Sequence, residues 1–428
     1  MKSPARFLAS QAAKRIILRA ASAMREGELT VDLPGGRRRI FGTPGAGRVA
    51  RLRIHDDDFF CRVLLHGEIG AGEAYVDGLW DSDDLVALME LGVENRRHVQ
   101  FSSTWLSRAS KVKNVRLHRR RRNTAAQAKD NIHAHYDLSN DLFRLFLDET
   151  MSYSCAYFSS PGQPLADAQR NKYRMLCERA GIAQGDDVLE IGSGWGGFAI
   201  FAAERYGCRV TSITISQEQL ELARFRVEEA GLADRVEIRF CDYRDLEGQY
   251  DKIVSIEMFE AVGAEYFSTF FEACNRALRP GGRMAMQTIS LPDRAFAPVR
   301  DGVNWVQKYI FPGGMLPSIA EIERALHGTD LVIDGLEDIG AHYARTLRLW
   351  RERFLSRLPE VRALGFDTRF VRMWEYYLAV CEAGFATRNT GDLQIGFSKL
   401  PARTELPSAR GADAEFAAVR AAEAVAVS

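Results

Sequence analysis

Between Asp187 and Ile289 the sequence predicts an α/β fold with a doubly wound, mostly parallel sheet, and ahead of it a small mixed N-terminal domain. Three observations lead there. Short apolar stretches alternate with helical ones, a glycine-rich turn separates the first such strand from the first helix, and the chain is long enough for a large core plus an appended unit. Its 428 residues are 46% hydrophobic and 27% charged, which is too apolar for wholesale disorder.

The N-terminal region is read from its punctuation. Leu33-Pro-Gly-Gly followed by Arg37-Arg-Arg is a turn entering a basic strand. Leu85-Val-Ala-Leu-Met-Glu-Leu is a helix, with Ser82 or Asp83 expected as its N-cap. Residues 1–50 hold ten Lys/Arg against three acids, and residues 51–100 reverse this with five against eleven. We set the boundaries at 1–110 for this domain, 111–130 for a basic linker, 131–402 for the main domain and 403–428 for an Ala-rich tail.

In the main domain, Asp187–Ile191 is a strand, Phe198–Tyr206 a helix ended by Gly207, and Arg209–Ser216 a second strand. A helix from Gln217 to Ala230 stops at Gly231. Strands follow at Val236–Phe240 and Lys252–Ile256, then a helix over Tyr266–Leu278 that ends at Arg279-Pro-Gly-Gly282, then the strand Arg283–Ile289. Sheets of this kind bind ligands at the carboxyl ends of their strands.

Composition narrows the function. The 57 Lys+Arg balance 57 Asp+Glu, which counts against a nucleic-acid partner because neutralising phosphates requires surplus base. A nucleic-acid base methylase is further disfavoured by Glu257-Met-Phe-Glu260 after the fourth strand, where an Asn/Asp-Pro-Pro-aromatic motif is expected. The seven cysteines are scattered and never spaced CxxC, so neither a disulfide framework nor a zinc site is indicated, and no metal is expected at His133 and His135. With no apolar run of spanning length and no secretory leader pattern, a cytoplasmic protein is expected.

Glu190-Ile-Gly192-Ser-Gly194-Trp-Gly196-Gly197 joins strand to helix and lets a ligand approach the backbone. The turn serves dinucleotides and S-adenosylmethionine alike. No base lies in it to meet a pyrophosphate, and Thr214-Ile-Ser216 stands where a dinucleotide site wants an acid. Glu190 and Asp242-Tyr-Arg-Asp245 suit a cationic sulfonium, and the Tyr243 ring can cover the nucleoside. S-adenosylmethionine is therefore the expected cofactor.

These segments, with Phe259-Glu-Ala-Val-Gly, His135-Tyr-Asp-Leu-Ser-Asn-Asp141, Tyr153-Ser-Cys-Ala-Tyr157, Lys308-Tyr-Ile-Phe-Pro-Gly-Gly-Met-Leu-Pro-Ser318 and Tyr343-Ala-Arg-Thr-Leu-Arg-Leu-Trp350, resemble the cyclopropane fatty acid synthases and mycolic acid cyclopropane synthases. The resemblance runs co-linearly over residues 67 to 400. It implies a Rossmann-like class I methyltransferase that acts on the cis double bond of an unsaturated acyl chain, usually in a membrane phospholipid. By motif, Gly192 and Gly194 cradle the methionine part, Tyr153 and Ser154 flank it, and Thr214, Gln219, Asp242 and Tyr243 lie about the ribose and adenine. The resemblance also implies a bicarbonate ion held by Cys155, Glu260, the Ile289 backbone and Tyr343, with Gln287 where one branch has His. Gln donates to an anion but cannot titrate near neutral pH, which weakens the case for that ion. Ala261 and Ser193 are further departures, from His and Cys respectively.

The chemistry asks for a dry site, because an alkene is a weak nucleophile and its attack on a methyl leaves a carbocation. Tyr157, Phe158, Phe259, Tyr309, Phe311 and Tyr343 are expected to line an acyl tunnel, with Tyr136, Tyr309 and Phe311 on the substrate. Proton loss from the new methyl closes a cyclopropane; loss from a neighbouring carbon leaves a methylated alkene, and the position of the base selects between them. Glu260 is expected to orient that base, and Cys155 to act through its backbone rather than as a nucleophile. The seven bases among residues 111–122 read either as a solvated linker or as a patch for anionic headgroups. A membrane phospholipid surface is thus the expected partner, with peripheral attachment at the inner face of the membrane, and the resemblance implies a homodimer.

Overall fold

The computed structural model describes residues 4–45, 47–99 and 139–402. The basic linker, Tyr136, His133, His135 and the tail lie outside the described residues. Helix α1 (Pro4–Ala21) precedes strands β1 (Glu28–Asp32), β2 (Arg38–Gly42) and β3 (Val49–Ile54), helix α2 (Asp58–Val76), strand β4 (Trp80–Ser82) and helix α3 (Leu85–Asn95). The four strands form one sheet in the order β2-β1-β3-β4. The Pro-Gly-Gly turn closes the β1–β2 hairpin, with Leu33 donating to the Arg37 carbonyl. The α3 cap is Asp84, not Ser82 or Asp83: its carboxylate accepts from Ala87 N at 2.9 Å. Ser82 stays paired with Leu52 in the sheet and Asp83 is drawn to Arg53 at 2.5 Å, so neither is free to cap.

Helices α4 (Asn140–Phe146) and α5 (Leu165–Ala180) lead into the second sheet. Its strands are β5 (Asp187–Ile191), β6 (Arg209–Thr214), β7 (Val236–Phe240), β8 (Tyr250–Ile256), β9 (Leu278–Ser290), β10 (Leu331–Asp338) and β11 (Gly391–Lys399), in the order β10-β11-β9-β8-β5-β6-β7. β5 to β9 are mutually parallel; β11 runs antiparallel between β9 and β10. Helices α6 (Gly197–Tyr206), α7 (Gln217–Glu229) and α8 (Phe267–Ala277) make the crossovers, and α9 (Gly340–Ser356) and α10 (Thr368–Ala386) come after β10. The α8 face of Phe267, Phe270, Phe271, Cys274 and Ala277 repeats at helical spacing and is buried against the sheet.

β6 ends at Thr214, two residues early, because Ser216 leaves the strand to cap α7. β10 and β11 extend the sheet beyond the strands expected from sequence. The N-terminal elements are not spatially separate, since α2 and α3 pack on α10 and share one core with α4, α9 and α10. Successive strands leave β5 toward β6 and β7, then return to its other side with β8. β5 is thus the switch point of the sheet, and the tips of β5, β6 and β8 border the crevice where such sheets take ligands.

Candidate active site

Two groups of residues meet at that crevice. The first belongs to the tips of β5, β6 and β7. Gly192 has φ +100°, and a Cβ placed there would come within 3.0 Å of the Met258 side chain; Gly194 at φ +49° faces open space. Only glycine gives this approach without strain. Thr214 donates to Gln219 Oε1 at 2.9 Å, fixing the β6 tip against α7. Asp242 turns its carboxylate onto Arg244 at 2.5 Å, so its first partner is within the chain. Tyr243 packs edge-on to Phe270 and keeps a buried hydroxyl with no hydrogen-bond partner among the described residues. Glu190 is 2% exposed, accepts from Ser212 Oγ at 2.5 Å, and burial pushes its carboxyl up to about 8. A glycine cradle, a buried acid and an orphaned phenol fit the polar, cationic S-adenosylmethionine, whose chemistry is an electrophilic methyl.

The second group gathers residues far apart in sequence. Cys155, Glu260, Gln287, Ile289 and Tyr343 do come together, but around a residue that sequence reasoning passed over. Glu257, the first residue after β8, has φ +49°, a left-handed conformation that costs a non-glycine residue about 1 kcal/mol. Its carboxylate accepts from Cys155 N at 2.8 Å, Gln287 Nε2 at 2.8 Å and Tyr343 Oη at 2.6 Å. Gln287 is aimed by β11, because its amide oxygen accepts from Gln394 Nε2 at 3.0 Å in register. Glu260 accepts from the Ile289 N–H and keeps its other oxygen buried without a partner among the described residues. Burial, reinforced by the neighbouring Glu257 charge, pushes Glu260 up to about 8, while Asp392 on β11 is raised by burial and by both glutamates. Lys172, wholly buried, donates to Ser154 Oγ at 2.6 Å, and burial lowers it to about 8 despite the nearby acids.

Of the groups expected to hold bicarbonate, Cys155 N, Gln287 and Tyr343 are bonded to Glu257, and the Ile289 N–H is bonded to Glu260. A separate small anion does not fit there without displacing Glu257. The Cys155 thiol, raised by burial, donates to the Ala156 carbonyl at 3.2 Å, which leaves it protonated and unsuited to nucleophilic work. The visible signal for Glu257 was an acid at the carboxyl tip of the fourth strand, three residues before Glu260.

An aromatic wall adjoins this cluster. Tyr153 stacks on Trp350 at 5.2 Å, bonds the Tyr377 hydroxyl at 2.8 Å and meets Phe143 edge-on; Phe311 lies against Tyr377 at 5.9 Å. Tyr343 stacks on Phe385 at 4.3 Å. The other aromatics expected on a tunnel lie elsewhere. Phe259 belongs to the core beneath the sheet, stacked on Phe267 at 4.4 Å, because the turn after β8 sends its ring inward. Tyr157 and Phe158 pack on His342. Tyr309 turns its hydroxyl to Glu73 on α2 at 2.5 Å, tied there beside Lys308, so it is held by the N-terminal elements.

Comparison with known proteins identifies the family. The family model for mycolic acid cyclopropane synthetase matches residues 123–395. Tuberculostearic acid methyltransferase UfaA1 of Mycobacterium tuberculosis is 47% identical over 348 residues, covering 79% of this chain and 81% of its own. Cyclopropane-fatty-acyl-phospholipid synthase of Escherichia coli K12 is 38% identical over 356 residues, covering 82% and 88%. The crystal structure of mycolic acid cyclopropane synthase CmaA1 with SAH and CTAB superposes with a TM-score of 0.59 at 29% identity, covering 63% of this chain and 98% of that one. S-adenosylmethionine is accordingly the cofactor. The chain belongs to the mycolic acid cyclopropane synthetase family and is an S-adenosylmethionine-dependent methyltransferase.

Proposed function

We propose that the protein adds the one-carbon unit of S-adenosylmethionine to the cis double bond of an unsaturated phospholipid acyl chain and closes a cyclopropane ring. The observation that carries this is the continuity of the aromatic wall with the buried polar cluster. The chain from Phe311 through Tyr377, Tyr153 and Trp350 to Tyr343 offers apolar ring faces up to the residue that bonds Glu257. Such a surface takes an acyl chain, excludes water and stabilises a carbocation through ring quadrupoles. Ring closure is supported by the position of the acids. They stand at the switch point beside the glycine loop, and in this reading they take the proton from the transferred methyl. The 47% identity to a tuberculostearic acid methyltransferase supports a second reading, in which the cation loses a neighbouring proton and a methylated chain results.

In this proposal the protein works from the membrane surface. No helix among the described residues is long and apolar enough to cross a membrane. Helix α1 exposes Phe7, Leu8 and Ile16 beside the exposed Arg15 and Arg19, a combination suited to anionic headgroups, and the bases of residues 111–122 add to it. Purified protein, vesicles of a cis-monounsaturated phospholipid and S-adenosylmethionine should give acyl chains heavier by one CH2, with upfield cyclopropyl protons in the NMR spectrum. A methyl doublet or exomethylene signals in place of those protons would establish the second reading. Unchanged lipid would refute both.

A further inference from the structure

We propose that the Glu257 carboxylate is itself the base of this reaction, resident where an added bicarbonate would otherwise be needed. The inference rests on the reading of function above. Its geometric support is independent of that reading. Cys155 N and Gln287 Nε2 both converge on one oxygen of Glu257, and Tyr343 Oη binds the other, while the Asp392 carboxyl, raised by burial and by both glutamates, faces Glu257 from β11. Burial raises the Glu257 carboxyl, and the three donors work against that shift, favouring the ionised form and holding it in one orientation. Glu257 occupies the β8 tip next to β5, and its neighbour Met258 touches the position of the Gly192 hydrogens, so the carboxylate stands beside the cofactor loop. The left-handed backbone turns the side chain toward these donors, a strained arrangement of a kind that persists where the surroundings fix it. A second observation marks the space as a working site, namely the buried Glu260 Oε2 that has no partner among the described residues.

The step balances without an added ion. The alkene π pair forms the bond to the methyl carbon, and the pair of the carbon–sulfur bond returns to sulfur. The cation left on the acyl chain is discharged when a C–H pair of the new methyl closes the ring and the proton passes to Glu257. Gln287 and Tyr343 position the base, and Gln394 positions Gln287.

The test uses the full chain. In bicarbonate-free buffer, wild-type turnover should match that with added bicarbonate, and Glu257→Gln should lower kcat about 10²- to 10⁴-fold while S-adenosylmethionine affinity stays within about threefold. Glu257→Gly, which vacates the three donors and suits the left-handed backbone, should recover part of its turnover when bicarbonate is added. In parallel, carbon-13 bicarbonate is titrated onto each protein with S-adenosylhomocysteine and followed by NMR. Saturable binding to the glycine variant and none to wild type is expected. Bicarbonate-dependent wild-type turnover, saturable binding to wild type, or a Glu257→Gln variant with near-normal kcat would overturn the proposal. The titration needs no turnover, so unchanged lipid would refute the proposed reaction while leaving the titration to decide whether Glu257 fills the anion position.

Discussion

The cofactor end and the acid end of the crevice are built on opposite principles. At the cofactor end, Gly192, Gly194, Thr214 and Tyr243 sit at the tips of β5, β6 and β7, Gln219 lies in the first turn of α7, and each is placed by its own turn or cap. At the acid end, Cys155, Glu257, Gln287, Tyr343 and Gln394 come from five separate segments and depend on one another. Local motifs therefore make the first end tolerant of distant change. The second is a network, in which the loss of one donor leaves a buried charge unsatisfied.

Each end also buries a carboxyl in its own way, and the largest expected effect follows from the simpler case. Glu190 has its carboxyl raised from 4.5 to about 8 by burial, opposed only in part by Ser212 and Lys172. Between those values the folded protein holds a proton that the unfolded chain has released. Its contribution to stability is thus complete below about 4.5 and is lost as pH rises toward 8. Glu190→Gln removes this titration. Urea unfolding at several pH values should show the variant gaining on wild type with rising pH, by on the order of 5 kcal/mol across the window. A pH-independent difference would mean that Glu190 ionises freely in the fold.

The contrast explains what sequence could reveal. Gly192-Ser-Gly194 after an apolar strand is recognisable because the strand, turn and helix are contiguous, and the parallel sheet follows from the same alternation. Glu257 carries no such mark, since its importance comes from Cys155 about a hundred residues upstream and Tyr343 on helix α9 between β10 and β11. Gln394 was invisible for a related reason. It lies on an antiparallel strand appended beyond the strand-helix alternation, and only register with β9 brings it to Gln287. Tyr309 shows the converse, a motif aromatic whose hydroxyl is held by a carboxylate on α2, a tie that its motif does not announce.

Gly192→Ala probes the local end. The substitution combines a φ of +100° with a methyl 3.0 Å from Met258, which together cost about 2 kcal/mol. Calorimetry should show S-adenosylmethionine binding weakened roughly 10- to 100-fold. Unaltered affinity would show that the loop does not meet the ligand closely. Tyr343→Phe probes the network end, removing one donor from a buried carboxylate and nothing from the cofactor loop. It should lower kcat about 10- to 100-fold with cofactor affinity preserved, and a fall in affinity instead would merge the two ends into one.

The smallest effect is the most discriminating, because Gln394 belongs to the acid end only through Gln287 and does not bond Glu257. It donates to the Gln287 amide oxygen, and that bond decides which face of the amide meets Glu257. Without it the amide can rotate and present oxygen to a carboxylate. Gln394→Met keeps the volume and deletes the donor, a loss of about 1 kcal/mol, so kcat should fall about fivefold. If Gln394 acts through Gln287, the penalty must vanish once Gln287 has no amide to orient: Gln394→Met should cost little in a Gln287→Leu background. Penalties that add in the double variant would instead assign Gln394 a packing role in β11. Thermal unfolding of all three variants separates a loss of fold from a loss of aim, since a purely structural defect lowers Tm and cofactor affinity along with kcat, whereas an orienting defect lowers kcat alone.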